Sequence, residues 1–244
     1  MMTFRRELLN LLIACLMTTI LGVLSTWYVW DRQPTYEALP DVLLDILPDL
    51  SHIQFPIVNV VTAVQYILAF LSLPAQTKWK RVGQFIILQT TINTFRSFTV
   101  ACTSLPNIHV YPYCEKRPND FFEVLSYMIT HGTCGDYMFS GHTASSLLTW
   151  LLTRKFAKKE WYKWVVGFLV DVLIVLLLLQ RWHYTVDIII AIALTWFLFT
   201  TYYRFETNKY WWYFNSFELQ KEPRESRGIE LEQPNQYGRL KRSF

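Results

Sequence analysis

Six apolar runs alternate with polar segments along the chain, each of about the 20 residues that cross a bilayer at about 1.5 Å per residue. They cover 8–30, 55–74, 82–105, 139–156, 164–182 and 185–203. Every one is predicted to be a helix, because an open strand cannot satisfy its backbone in lipid. The first has an apolar core longer than that of a cleavable signal peptide, and no small-x-small cleavage site follows it. The expected fold is therefore all-α: a polytopic membrane protein of six transmembrane helices occupying residues 1–205. The polar stretch 206–244, with "QKEPRESRGIELEQP", is expected to be an unstructured cytosolic tail.

Charge orients this pattern. With the N-terminus in the cytosol, the inside segments hold 18 of the 23 Lys and Arg residues. The outside segments hold only Arg32, Lys116, Arg117 and Arg181, and Arg96 lies within the third run. An even number of spans puts both termini on one side, and the basic bias assigns that side to the cytosol. Composition agrees, with 52% hydrophobic and 17% aromatic residues. No nucleic-acid partner is expected, and a homo-oligomer is compatible with the pattern. Of the four cysteines, Cys114 and Cys134 share one outer loop, where an oxidising lumen would permit a bridge. No spacing points to a metal, and no cofactor is expected.

Two polar stretches interrupt this apolar pattern on the outer side. "CGDYMFSGHT" (134–143) opens the fourth run, and "QRWHYTVD" (180–187) joins the fifth to the sixth. His183 and Asp187 are four residues apart. On one helical face, the carboxylate would hold a single imidazole tautomer and support its charge, as a nucleophile or base requires. The plainer alternative is an interfacial histidine beside a helix-end acid. Ser140, Gly141 and Thr143 surround a helix start, where free N–H groups favour an anion and glycine admits close approach. His142 beside them could protonate a leaving oxygen; an ordinary Ser140 N-cap is the alternative. Arg96 could meet a phosphate or pair with an acid, and Asp136 could contact a cationic headgroup or tune His142. Asp41 and Asp45 are expected on a solvated acidic face, Asp171 as a structural or protonated acid, and His109 and His131 as loop histidines.

"CGDYMFSGHT" and "HYTVD" resemble the two catalytic motifs of the sphingomyelin synthase family, within the lipid phosphate phosphatase superfamily. "EALPDVLLD" (37–45) resembles its first-loop Leu-Pro-Asp motif, and "RSFTVACTSLPNIHVYPYC" (96–114) its third-span motif. The likeness covers about residues 37–200. It implies transfer of a phospho-headgroup from a glycerophospholipid, phosphatidylcholine first, to the primary hydroxyl of ceramide, leaving diacylglycerol. It also implies a phosphohistidine on His183, orientation by Asp187, proton transfer by His142, and a lumenal or extracellular site in the Golgi or plasma membrane.

The chain also departs from the pattern. Trp182 stands where sphingomyelin-type members carry an acid, and Arg181 precedes it as in inositol-phosphorylceramide synthases. A Trp face attracts a choline ammonium, whereas Arg favours a hydroxylated or anionic headgroup, so ethanolamine and inositol products stay open. The long N-terminal extension of many animal relatives is also expected to be lacking. A hydrolase would use water instead of ceramide, but "KRPND" (116–120) lacks the lysine of the lipid phosphatase signature. A non-catalytic ceramide sensor or transporter would not need His142 or His183.

Overall fold

A computed structural model describes residues 2–30, 32, 38–52, 57–106, 108, 118–130 and 138–221. Among them there are helices and no strand. The helices are α1 (Met2–Trp30), α2 (Val42–Ile46), α3 (Ile57–Ser72), α4 (Lys78–Cys102), α5 (Phe121–Thr130), α6 (Gly141–Phe156), α7 (Glu160–Leu179) and α8 (Thr185–Lys221). The chain divides into two compact units, Met1–Tyr202 and Tyr203–Phe244. The packing that builds the site lies in the first.

Among the described residues, three stretches are long and apolar enough to cross a membrane: Leu11–Trp30, Glu160–Leu179 and Thr185–Phe205. The others fall short for different reasons. Helices α3 and α6 have 16 residues each, about 24 Å at about 1.5 Å per residue against a hydrocarbon core of about 30 Å. Helix α4 has 25 residues but carries Gln84, Gln89, Asn93 and Arg96. The outward surface of the long apolar helices is itself apolar. Leu12, Leu16 and Met17 of α1, Trp164 and Phe168 of α7, and Ile189 and Phe197 of α8 are all exposed, as suits a lipid solvent.

Helix α6 is the centre. It packs against α3, α4 and α7, while α1 lies along α4. Its sequence, "GHTASSLLTWLLTRKF", is rich in hydroxyls yet buried over Thr143–Thr149. Each such hydroxyl has a partner. Ser145 donates to the Gly141 carbonyl, Thr149 to Ser145 and Thr153 to Thr149, at 2.7–2.9 Å. Ser146 donates to Gln65 Oε1 of α3, and Gln65 Nε2 donates to the Val166 carbonyl of α7 at 3.2 Å. That bridge ties three helices through polar groups that would otherwise cost a few kcal/mol unpaired. Arg154 and Lys155 in the last turn oppose the helix dipole.

The ends of the helices differ from the apolar runs because hydropathy sees only the apolar part of a helix. Helix α7 begins at Glu160, an acid in a first turn, four residues before the apolar run. Helix α8 continues to Lys221, so 206–221, expected to be unstructured, is helical. No Pro or Gly occurs between Thr185 and Lys221, and Pro223 is the first helix breaker.

Candidate active site

The C-terminal end of α7 sets the geometry. Gln180 caps the helix, Arg181 N–H bonds the Leu178 carbonyl at 3.1 Å, and Trp182 N–H bonds Leu177 at 3.0 Å. This pair of bonds is a Schellman motif. Its left-handed position is filled by Arg181, with φ 59°, instead of glycine. The chain thus reverses sharply, and His183 and Tyr184 lead directly into α8.

His183 precedes α8 rather than lying on it. Its Nδ1 is 3.3 Å from Asp187 Oδ2, and the same oxygen accepts the Tyr184 N–H at 3.0 Å. Asp187 therefore does two things: it reaches back to the start of its own helix, as the third residue of a capping box does, and it holds the imidazole. Asp187 is 0% exposed and His183 8%. A buried carboxylate beside Nδ1 favours the Nδ1–H tautomer, which leaves the ring's lone pair on Nε2.

The other half is built at the start of α6. Ser140 is the N-cap; its Oγ accepts from the Thr143 N–H at 3.2 Å and the Thr143 hydroxyl at 2.9 Å. Ser140 is thus used by the helix end. Its own N–H bonds the Asp187 carbonyl at 3.4 Å, which ties the start of α6 to the first turn of α8. His142, in the first turn of α6, meets Trp182 edge-on with ring centroids 5.5 Å apart. Both His183 and Arg96 lie close enough to act on its charge. Its Nε2 is 3.1 Å from Asn59 Oδ1; with that oxygen as acceptor, Nε2 carries the proton.

Gly141 has its reason here. A Cβ built on it would lie 2.9 Å from Arg96 Nη1 and 3.2 Å from Cζ. The guanidinium of α4 therefore rests against the first turn of α6. The close approach that the glycine permits is taken up by Arg96, which brings a cation to the anion-favouring end of the helix.

Arg181 is elsewhere. It donates to the Leu44 carbonyl, to the Leu47 carbonyl at 2.9 Å, and its Nε is 3.8 Å from Asp49 Oδ2. Expected to bind substrate, it instead clamps the C-terminal end of α2, whose orphan carbonyls need donors. Asp41 is likewise more than a solvated acid. It caps α2 through the Leu43 and Leu44 N–H groups and accepts from the Thr185 N–H at 2.7 Å and the Thr185 hydroxyl at 2.6 Å. Burial raises its carboxyl pKa, but these donors outweigh it and hold the group below its usual value. Tyr184 completes the tether, donating to the Pro106 carbonyl at 2.9 Å and accepting from the Leu39 N–H at 3.0 Å. Asp171, exposed on α7, takes no part in the site. Asp136, Cys114, Cys134, His109 and His131 lie outside the described residues.

Asn59, Asp41 and Tyr184 were not singled out as site residues by the sequence. Asn59 had a signal, as one of two amides, with Gln65, in the apolar run "PIVNVVTAVQYILAF". Such a group in lipid must face a partner.

Known proteins resemble this chain in sequence. A family profile described as PAP2 superfamily C-terminal matches residues 133–204, a stretch that includes both histidines and Asp187. Phosphatidylcholine:ceramide cholinephosphotransferase 1 of Homo sapiens is 29% identical over 145 residues, 53% of this chain and 32% of its own. Sphingomyelin synthase-related 1 of Caenorhabditis elegans is 30% identical over 232 residues, 84% of this chain and 47% of its own. Phosphatidylcholine:ceramide cholinephosphotransferase 2 of Rattus norvegicus is 30% identical over 127 residues, 46% of this chain and 35% of its own. The chain thus spans a third to a half of the length of these relatives. With a PAP2 superfamily profile over residues 133–204 and a sphingomyelin synthase-related protein aligned over 84% of the chain, the protein belongs to the sphingomyelin synthase family.

Proposed function

We propose that the protein is a sphingolipid synthase that transfers a phospho-headgroup, phosphocholine from phosphatidylcholine in the first instance, to the primary hydroxyl of ceramide. The observation that carries this reading is the junction of α6 with α8. The Ser140–Asp187 backbone bond joins the two helix starts, and with them the His183–Asp187 pair, His142 and the Arg96 guanidinium.

In this mechanism His183 Nε2 attacks the donor phosphorus while Nδ1–H stays on Asp187. The phosphorus–oxygen bond to diacylglycerol breaks, and His142 gives the departing oxygen a proton. His142 enters this step as the imidazolium: its Nε2–H stays on Asn59 Oδ1, and the Nδ1 proton is the one given to the departing oxygen. Ceramide then gives its hydroxyl proton to His142, and its oxygen attacks the phosphohistidine. The N–P bond breaks, a phosphosphingolipid leaves, and His183 is restored. Covalent catalysis divides one hard displacement into two easier ones. Each positioned proton transfer contributes a factor of about 10²–10⁴. Arg96 meets the phosphoryl charge, and the Trp182 face suits a choline ammonium.

The fold accompanying this reading has six spans, with α3, α4 and α6 completing the three longer apolar helices. Both termini are cytosolic, the α6–α8 junction faces the lumen or exterior, and residues 1–205 form the catalytic domain. Helix α6, short for a bilayer on its own, sits inside the bundle where neighbours bury it, whereas α3 buries only the face of Val58, Thr62 and Gln65.

The test supplies purified protein with fluorescent ceramide and, separately, phosphatidylcholine, phosphatidylethanolamine or phosphatidylinositol, beside a His183→Ala control. A phosphosphingolipid that vanishes in the control supports the transferase and names its headgroup. His183-dependent diacylglycerol without a sphingolipid product would instead indicate a hydrolase. No product from folded protein would favour a sensor or transporter.

A further inference from the structure

Between α1 and α4 there is a cavity of about 300 Å³, and hydroxyl and amide groups interrupt its apolar wall although both helices belong to the membrane-embedded part of the proposed fold. Thr18, Thr19 and Ser25 line it from α1; Gln89, Arg96 and Ser97 line it from α4. Four of the hydroxyl protons here are held by their own helices. Thr18 donates to the Ala14 carbonyl at 2.8 Å, Thr19 to Cys15 and Ser25 to Gly22 at 2.9 Å, and Ser97 to Asn93 at 3.0 Å. Gln89 Nε2 donates to Asn93 Oδ1 at 3.1 Å, and Gln89 Oε1 is buried without a hydrogen-bond partner among the described residues. A hydroxyl whose proton is held by its own backbone has only lone pairs to offer a visitor. Away from the Arg96 guanidinium, those four hydroxyls and Gln89 Oε1 therefore present acceptors. Acceptors shielded from water remain costly until a donor meets them.

Arg96 connects this cavity to the candidate site. It lines the cavity, and its guanidinium also rests 2.9 Å from where a Cβ on Gly141 would stand. A molecule seated between α1 and α4 would thus have one end beside the first turn of α6.

We propose that the α1–α4 cavity seats the amide and hydroxyl groups of the acceptor lipid and discriminates against ester-linked glycerolipids. The inference rests on the phosphotransfer reading above and adds where the second substrate lies. A hydroxylated amide lipid brings an N–H and hydroxyl protons to the acceptor wall. The linkage region of a diacyl glycerophospholipid holds two esters, which only accept, so it would set lone pairs against lone pairs. Specificity of this kind comes as much from the unmet groups of the wrong ligand as from the contacts of the right one. A volume of about 300 Å³ suits the polar linkage and leaves the chains in the bilayer. The site is separate from the His183–Asp187 pair, so the two lipids enter by different faces and meet at Arg96.

The test places the full-length protein in phosphatidylcholine nanodiscs with a ceramide carrying a diazirine next to its amide. After irradiation the labelled peptides are mapped by mass spectrometry. The expected label falls on 15–26 and 85–100, is displaced by unlabelled ceramide and not by diacylglycerol. The Thr18→Val, Thr19→Val, Ser25→Ala variant keeps side-chain shape and removes acceptors. It should lower that labelling by roughly five- to ten-fold and raise the KM for ceramide by a similar factor relative to the KM for the donor. Specific ceramide labelling confined to other helices overturns the cavity assignment alone. Equal displacement by diacylglycerol overturns the discrimination. Ceramide that labels nowhere above a phosphatidylcholine probe leaves water as the cavity's occupant, and removes both this inference and the ceramide-acceptor reading.

Discussion

At the scale of single residues, the structure divides the polar groups by what each one touches. Gly141 and Arg96 form the sharpest case. In Gly141→Ala the new methyl would lie 2.9 Å from Arg96 Nη1. The guanidinium is the far end of a flexible side chain, so it moves and the helix survives. Turnover is expected to fall by about 10- to 100-fold, since small displacements of a positioned charge are costly, with little change in the melting temperature. A comparable loss of both would mean that Gly141 is needed only for packing. Asp41 gives a pH dependence. Its folded pKa lies below the ordinary 3.8, as the Thr185, Leu43 and Leu44 donors outweigh burial. The ionised form is the one favoured by folding. The tether therefore contributes fully above the ordinary value and is lost as pH falls through the lower folded one. Amide exchange at Leu43, Leu44 and Thr185 should accelerate over that acid range in the native protein and be fast throughout in Asp41→Asn.

At the scale of elements, helix ends carry the site and helix faces hold it in place. The reversal after α7 depends on a non-glycine residue with φ 59°, a conformation that costs roughly 1–2 kcal/mol. The Arg181 bonds to Leu44 and Leu47 offset this. Arg181→Ala keeps the strain and loses the clamp, so a destabilisation of about 1–3 kcal/mol is expected. Arg181→Gly should recover about 1 kcal/mol of that. Thermal unfolding in detergent distinguishes the two, and identical melting would exclude a strained turn. Helices α6 and α7 meet tightly at Gly167, where a Cβ would lie 2.7 Å from Trp150 Nε1. That indole donates to the Lys163 carbonyl at 3.2 Å and has little room to yield. Gly167→Ala should cost about 1–3 kcal/mol by overpacking, and Trp150→Phe in the same chain should return part of it.

Much of the element pattern was legible beforehand. The apolar runs locate α1, α3, α4, α6, α7 and α8, because burial in lipid or in a helix bundle demands continuous apolar stretches. Their ends were not legible. Helix α7 begins at an acidic first turn, and α8 continues through "YWWYFNSFELQK" because nothing in that sequence breaks it. Helices α2 and α5, with 5 and 10 residues, are shorter than any span, and a search for membrane-length runs passes over them.

At the scale of the whole molecule, the asymmetry of Lys and Arg argues for one orientation. Single cysteines introduced at residue 3 and in the segment 118–126 test it. The first should react with an impermeant thiol reagent only after the membrane is opened, and the second before. Reaction of both in sealed cells would refute cytosolic termini. What the sequence determined by itself was the helical class, the apolar runs and the chemistry available at two points about forty residues apart. Those depend on hydropathy, charge and residue type, all of which are local. Only the tertiary structure decided which polar groups meet. Asn59 reaches His142 across 83 positions, Asp41 reaches Thr185 across 144, and Arg181 turns to α2. Such pairings depend on which helix ends pack together, and local composition carries no record of that.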